Sequence, residues 1–248
     1  MTRFPEQVDL AINKSYAFNF GEYISRGFSL VGKNPGLFLA FTFIYLLIIL
    51  VCQIIPLLGP IASFVATPCL TAGFYLAADK QEQGKTLEFG DFFKGFDFIG
   101  QLILISLIQG LAILAIMIPV GVLMFLSVSS TGGDDFPVLM IGLMFVLILP
   151  IIYLMVSWAM APFLVLFHKM EAWPAMEASR KIISSNWFMF FLFYIVSGFI
   201  MMLGFLALGF GILYTLPAVT CMYYAAFRDI VGVQDSATGG SFMDHLVD

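Results

Sequence analysis

The sequence predicts an all-α integral membrane protein with six transmembrane helices arranged as three hairpin repeats. Hydrophobic residues make up 61% of the 248-residue chain and charged residues 11%, whereas a soluble domain carries about 25% charged residues. The charges are confined to a few segments, and long uncharged stretches separate them. These stretches are apolar on every face, so they do not fit the alternating pattern of a transmembrane β-barrel.

Six apolar stretches are long enough to cross a bilayer. A helix needs about 20 residues for this, because the hydrocarbon core is ~30 Å thick and a helix rises ~1.5 Å per residue. The predicted spans are residues 37–55, 61–78, 102–126, 138–167, 188–208 and 210–227. Residues 1–36 form a cytoplasmic N-terminal segment that contains an elbow helix, and residues 229–248 form a cytoplasmic tail.

Breaks in the helical pattern divide the spans into pairs. Two prolines in residues 56–60 separate the first pair, and Gly209 and Gly211 separate the last pair, because proline and glycine interrupt helices. The fourth stretch is long for a vertical span. We therefore expect it to be tilted, extended into the cytoplasm, or kinked at Pro150 or Pro162.

The basic residues predict the orientation. All 11 Lys and Arg residues lie before the first span, between the second and third, between the fourth and fifth, or after the sixth. The loops on the opposite side hold none of them. By the positive-inside rule, both termini are expected in the cytoplasm.

An internal repeat relates the three hairpins. Asn34 precedes the first span as Asn186 precedes the fifth, and Pro68 in the second span matches Pro217 in the sixth. Pro162 holds the equivalent place in the fourth span. Each unit is predicted to consist of a cytoplasmic amphipathic elbow helix, a span, a short outer turn and a returning span with proline.

The middle elbow carries an aromatic face. Phe89, Phe92, Phe93 and Phe96 follow the i, i+3, i+4, i+7 spacing of one helical face, and such a helix is expected to lie in the membrane interface. Two interpretations are open. The face packs on the bundle or dips into lipid headgroups, or it is a docking surface that binds a lipid or a partner protein.

The predicted spans contain few polar groups. Gln101 and Gln109 are candidates to share one face of the third span and to line a path, together with carbonyls that Pro68, Pro162 and Pro217 free from helical hydrogen bonds. The alternative is that the glutamines bond neighbouring helices and that nearby hydroxyls satisfy the carbonyls.

No catalytic or metal-binding pattern is found, so we expect no enzymatic activity and no cofactor. The carboxylates Glu171 and Glu177 are the best remaining pair for acid-base chemistry. Two separate histidines and three cysteines inside apolar segments do not give the spacing of a zinc site. The expected partners are membrane lipids, with another membrane protein as a further candidate and no nucleic acid.

The junction of the fourth and fifth predicted spans resembles a known family. It reads Ala-Pro-Phe-Leu-Val from Ala161, then Ser179 and Arg180, then Asn186-Trp187 at the re-entry into the membrane. This is similar to a large bacterial group of six-span inner-membrane proteins, which includes the membrane domain attached to some glycerophosphodiester phosphodiesterases and uncharacterised envelope proteins. The resemblance implies a location in the bacterial cytoplasmic membrane. It carries over no catalytic residue, because the chain has no phosphodiesterase domain.

Two functions remain open from the sequence. One is a non-catalytic module that binds lipid or a partner through its elbows and supports envelope or lipid homeostasis. The other is a transporter or flippase for an apolar or zwitterionic substrate. They differ in the centre of the bundle, because a transporter needs a polar or openable cavity there and a scaffold is packed solid. The elbow residues Ser179, Asn186 and Trp187 are expected to be structural, with Trp187 anchored at the interface.

Overall fold

The computed structural model describes residues 4–13, 16–56, 58–131, 138–206 and 211–233, and for residues 120, 124, 127–131 and 138–145 the backbone alone. Throughout these ranges, every regular element is a helix. The α-helices are α1 (Glu6–Asn13), α2 (Phe20–Lys33), α3 (Pro35–Ile54), α4 (Leu58–Glu82), α5 (Ile99–Thr131), α6 (Val138–Ser157), α7 (Ala161–His168), α8 (Ala172–Ser184), α9 (Trp187–Leu206) and α10 (Ile212–Ile230). A 3₁₀ helix, Phe89–Phe98, leads directly into α5.

In the described part of the chain, five helical segments are long and apolar enough to cross a membrane. They are Pro35–Ile54, Leu58–Glu82, Phe89–Leu123, Val146–His168 and Trp187–Leu206. The protein is therefore an all-helical protein with the character of a membrane protein. The predicted sixth span corresponds to α10, which has 19 residues and carries Arg228 and Asp229 near its end, and it is not among the five.

The fourth predicted span is a broken helix. α6 ends at Ser157 and α7 begins at Ala161, so the break lies immediately before Pro162. Pro162 occupies the first turn of α7, where a missing N–H disturbs no helical hydrogen bond. The prediction that it frees a carbonyl one turn earlier is wrong, because the carbonyl of Trp158 accepts a hydrogen bond of 3.1 Å from the N–H of Ala161.

Glycines allow the 3₁₀ helix to touch α4 backbone to backbone. A Cβ on Gly73 would overlap the carbonyl of Phe92, and a Cβ on Gly95 would overlap the carbonyl of Cys69. Each element therefore contributes one glycine to the contact. The two helices therefore lie so close together that neither glycine position has room for a larger residue.

Polar contacts gather at one end of the bundle. We call this end, marked by Arg26, Asp79, Lys80, Glu82 and Asp91, the charged end. Arg26 on α2 pairs with Glu82 on α4. Asp91 is buried between two lysines, with Lys80 Nζ at 2.6 Å from one carboxylate oxygen and Lys94 Nζ at 2.7 Å from the other. These contacts connect α2, α4 and the 3₁₀ helix.

Candidate functional site

A cavity of about 550 Å³ lies between α4 and α5. α4 contributes a row of hydroxyl-bearing side chains four residues apart, Ser63, Thr67, Thr71 and Tyr75. Residues at this spacing lie on one face of a helix, so α4 turns a polar stripe towards the cavity. We call this cavity the first cavity.

The opposite wall of the first cavity is α5. Leu102, Ile105, Ser106 and Gln109 line it at the spacing of one helical face. Pro162 from α7 completes the wall near Gln109. Ser106 satisfies its own hydroxyl by donating to the carbonyl of Leu102 at 3.1 Å, so the amide of Gln109 is the polar group that this wall offers to a ligand.

A second cavity of about 490 Å³ adjoins the first. The two share Tyr75, Gln109 and Pro162 as lining residues. Beyond these residues the second cavity extends between α6 and α9, where Trp158 and Tyr194 line it. Trp158 lies in the break between α6 and α7, so the broken helix shapes this cavity.

The described residues that line both cavities are uncharged, and some of them carry polar groups without partners. The buried hydroxyl of Ser63 has no hydrogen-bond partner. Within the described ranges, the hydroxyls of Tyr75 and Tyr194 and the amide of Gln109 also make no hydrogen bond to protein. Because unpaired polar groups in an apolar surrounding cost free energy, these groups favour a ligand or water that supplies hydrogen bonds.

The predicted path residues separate into two sets. Gln109, Pro68 and Pro162 line the first cavity. The side chain of Gln101 instead accepts a hydrogen bond of 2.8 Å from the backbone N–H of Ala172, at the start of α8. Gln101 therefore bonds a neighbouring helix, as in the alternative drawn from the sequence, and only Gln109 of the two glutamines lines the cavities.

The third predicted proline, Pro217, is buried in α10 and lies outside the lining of both cavities. The neighbouring hydroxyl of Thr220 donates to the carbonyl of Pro217 at 2.8 Å. Thr220 also contacts the carbonyl of Leu216 at 3.2 Å. Neither carbonyl is the one that Pro217 frees, because that group belongs to Leu213, one turn earlier. The two predicted outcomes for Pro217 therefore stay predictions.

The aromatic elbow mostly packs inward. Phe92 is fully buried, and its ring contacts those of Phe38 at 5.3 Å and Phe41 at 4.5 Å between centroids. Phe92 therefore packs on the bundle, which is the first of the two interpretations of this aromatic face, and it is not accessible as a docking residue. The cause is the close glycine contact with α4, which draws this part of the 3₁₀ helix into the bundle.

The other three rings of the elbow differ in exposure. Phe89 and Phe93 are half-buried and 5.7 Å apart between centroids. Phe96 is 36% exposed. Of the four predicted contact residues, Phe96 is thus the most accessible to a lipid or partner.

Ser179 joins α8 to the broken helix. Its hydroxyl donates to the carbonyl of Ser157 at 2.8 Å and accepts from the N–H of Met160 at 3.0 Å. Both backbone groups flank the break, and Ser179 is fully buried. One side chain therefore satisfies two groups that would otherwise be unpaired in the core.

Asn186 and Trp187, at the start of α9, contact other segments of the chain. The amide of Asn186 donates to the carbonyl of Tyr16 in the N-terminal segment at 3.1 Å. The ring of Trp187 stacks on Tyr153 at 5.8 Å and on Phe191 at 5.3 Å. The indole N–H is buried without a partner.

The charged end is a second cluster of polar residues. Tyr23 donates to Asp229 at 2.6 Å, while Tyr224 donates to Asp79 at 2.7 Å and accepts from Arg228 at 3.0 Å. Burial and then the contact with Asp229 raise the pKa of Tyr23 above its ordinary value. These groups satisfy each other and connect α2, α4 and α10, so we interpret the cluster as a structural clamp.

Sequence reasoning missed the residues at the centre of the site, Tyr75 and Tyr194. The four-residue spacing from Ser63 to Tyr75 is visible in the sequence and could have indicated a polar face on α4. No local pattern indicates Tyr194, because α9 reaches the second cavity through tertiary packing.

Across the described part of the chain, no group of three or more His, Cys, Asp or Glu side chains is placed to hold a metal ion. Comparisons of the chain with protein-family models, with curated proteins and with solved structures found no match.

Proposed function

We propose that the protein is a non-catalytic, multi-pass protein of the bacterial cytoplasmic membrane that binds membrane lipid between its helices and supports envelope or lipid homeostasis. The observation that carries this proposal is the pair of adjoining cavities around Tyr75, Gln109 and Pro162. Their walls are apolar helices with a few uncharged polar groups, which is the composition of a site for a largely apolar ligand.

Access from the bilayer supports a lipid as the ligand. α4, α5 and α9 belong to the segments that are able to cross a membrane. Phe64, a lining residue of the first cavity, is 41% exposed, so the cavity is open at this residue. A ligand dissolved in the membrane can thus reach this cavity without passing through water.

We also propose six spans, with both termini in the cytoplasm and α10 as the sixth. α10 packs against α2, α3, α4 and α9, and its charged residues Arg228 and Asp229 lie at the charged end. The bias of Lys and Arg towards this end supports its placement in the cytoplasm. The resemblance around Ser179 and Asn186 to the bacterial six-span group is consistent with this topology and remains part of the proposal.

Cysteine labelling tests this topology. In a background in which the three native cysteines are replaced, single cysteines are placed at Gly209, between α9 and α10, and at Ser236, after α10. A membrane-impermeant maleimide should label Gly209→Cys from outside and Ser236→Cys only after the membrane is opened. Labelling of both from the same side would show that α10 does not cross.

Native mass spectrometry tests the lipid-binding function. The protein is extracted with its surrounding membrane in polymer nanodiscs, released into detergent and examined for bound lipid. Ser106→Phe fills the first cavity, and Leu107→Phe is the matched control, because Leu107 is 46% exposed and lies outside the cavity lining. Wild type and Leu107→Phe should retain a lipid and Ser106→Phe should lose it. The absence of lipid on wild type, or its retention on Ser106→Phe, contradicts the proposal.

A transporter or flippase is the second candidate function. The wall shared by the two cavities supports it, because displacement of Gln109 or Tyr75 would join them into one passage. Lipid movement between leaflets is measured in vesicles that contain the purified protein and a fluorescent lipid analogue. Dithionite added outside bleaches only the analogue in the outer leaflet, which is about half of the total. If this function holds, the protein increases the bleached fraction above one half and Gln109→Leu reduces the increase. If the protein leaves the bleached fraction at one half, it does not transport that lipid.

The absence of enzymatic activity is also proposed. The cavity walls offer hydroxyls and amides, and the carboxylate pair singled out in the sequence, Glu171 and Glu177, lies on the segment around α8. Turnover of glycerophosphodiesters or phospholipids by pure protein, lost on Glu177→Gln, would contradict it.

A further inference from the structure

We infer that the lipid bound in these cavities is uncharged and that its polar group carries an ester or hydroxyl, held between Tyr75, Gln109 and Tyr194. Its acyl chain lies along the apolar residues of α4 that line the first cavity, Phe64 and Pro68 among them. This inference rests on the proposed lipid binding and specifies the class of ligand.

The charge of the lining decides against an anionic lipid. Among the residues that the structure describes, no Lys, Arg, His, Asp or Glu lines either cavity. A phosphate or carboxylate placed there would lose its hydration without gaining a counter-charge, which disfavours its binding. The nearest basic residue along α4, Lys80, is already paired with Asp91 at 2.6 Å. A neutral headgroup has no charge to desolvate, so it avoids this penalty.

The unpaired groups of the site define what the ligand offers. The hydroxyls of Tyr75 and Tyr194 and the amide of Gln109 are hydrogen-bond donors without a protein partner in the described part of the chain. Ester and hydroxyl oxygens accept such bonds. A plain hydrocarbon would leave the three donors unpaired, so it fits the site less well than a lipid with an oxygen-bearing head.

The donors lie at different depths in the bundle. Tyr75 lies one helical turn from Asp79 at the charged end, a rise of about 6 Å, and Gln109 lies about 15 Å along the axis from the start of α5. From Tyr75 the lining of the first cavity continues along α4 to Pro60, a further rise of about 22 Å, and Phe64 and Pro68 line this stretch. The polar group is thereby placed within the apolar part of the bundle, and the acyl chain extends along α4 away from the charged end.

Tryptophan fluorescence tests this assignment. Trp158 lines the second cavity, and the chain has three tryptophans. Trp173→Phe with Trp187→Phe therefore leaves Trp158 as the only reporter. This protein is placed in phosphatidylcholine vesicles with increasing fractions of diacylglycerol or of phosphatidylglycerol, each with brominated acyl chains that quench fluorescence on contact.

The expected result is saturable quenching by brominated diacylglycerol, with a half-quenching fraction at least fivefold below that of brominated phosphatidylglycerol. Gln109→Leu should abolish this preference. Tyr153→Phe is the control, because Tyr153 lies outside both cavities and is 41% exposed. The circular dichroism of each variant shows whether it is folded. If the reporter protein does not fold, native mass spectrometry of wild type and Gln109→Leu with the same two lipids replaces the fluorescence assay.

The other outcomes overturn the inference in distinguishable ways. Saturable quenching with a preference for phosphatidylglycerol, or with none, shows lipid binding of another class, so the proposed function stands and the neutral ligand does not. Quenching that rises in proportion to the lipid fraction for both lipids shows only contact with the surrounding bilayer. Together with the absence of bound lipid by native mass spectrometry, that result removes the function as well.

Discussion

Ser179 donates a hydrogen bond of 2.8 Å from its hydroxyl to the carbonyl of Ser157, 22 residues earlier in the chain. The same oxygen accepts from the N–H of Met160. An elbow helix thus supplies the groups that the broken helix α6–α7 lacks. The shape of the second cavity depends on this contact, because Trp158 and Ala159 line the cavity from within the break.

Ser179→Ala should destabilise the protein by about 1 to 3 kcal/mol, because it leaves a buried donor and a buried acceptor unpaired. The free energy of unfolding in mixed micelles measures the effect. Ser184→Ala is the matched control, since the hydroxyl of Ser184 is exposed and bonds only the carbonyl of Lys181 in its own helix. Equal stability of the two variants would remove the proposed role of Ser179.

Asp91→Asn should destabilise by about 2 to 4 kcal/mol. The substitution breaks two ion pairs of a buried carboxylate. The cost remains below that of a fully buried pair because Lys94 is 60% exposed. Glu177→Gln removes the same charge from a pair with Arg180 that is partly exposed on both sides, so it should cost at most about 1 kcal/mol. A smaller loss for Asp91→Asn than for the control contradicts the structure of the charged end.

Phe92→Ala should cost about 3 to 5 kcal/mol, as expected for the loss of a fully buried aromatic side chain. Phe96→Ala removes a ring that is 36% exposed, and we expect it to change the unfolding free energy by less than about 1 kcal/mol. If partner or lipid binding depends on the elbow, Phe96→Ala should weaken it while the bundle stays folded. A similar stability of both variants would place Phe92 on the surface after all.

Gly95→Ala should destabilise the 3₁₀ helix contact by about 1 to 3 kcal/mol or prevent folding, because the added methyl group overlaps the carbonyl of Cys69. Gly90→Ala, in the same 3₁₀ helix, meets no atom within 4 Å and serves as the control. Thermal unfolding followed by circular dichroism compares the two. Wild-type stability of both would contradict the close approach.

Composition and hydropathy predicted the helical class because an apolar segment in a membrane must satisfy its backbone internally. Side-chain placement on the elbow was not predictable in the same way. The amphipathic spacing placed the four phenylalanines on one face, yet Phe92 is fully buried and Phe96 is 36% exposed. Helical periodicity separates faces but gives no information on a contact such as that between Gly73 and the backbone of Phe92.

The candidate site was likewise predictable only in part. Gln109 and Pro68 were identified from composition, because polar groups and prolines are rare inside apolar segments. The partners that make a cavity of them, Tyr75 and Tyr194, belong to helices that are far apart in sequence. Their convergence depends on packing between α4, α5 and α9, which a local pattern does not contain.

The glycine contact between α4 and the 3₁₀ helix has a mechanical consequence for the cavities. With Gly73 pressed on the backbone of Phe92 and Gly95 on that of Cys69, α4 can neither roll about its axis nor slide past its neighbour without a steric clash. The hydroxyl-bearing face of α4 is therefore fixed in position. Any opening that admits or releases a ligand must come from the other walls, which are α5 in the first cavity and α6, α7 and α9 in the second. The interruption between α6 and α7 is the natural hinge among them.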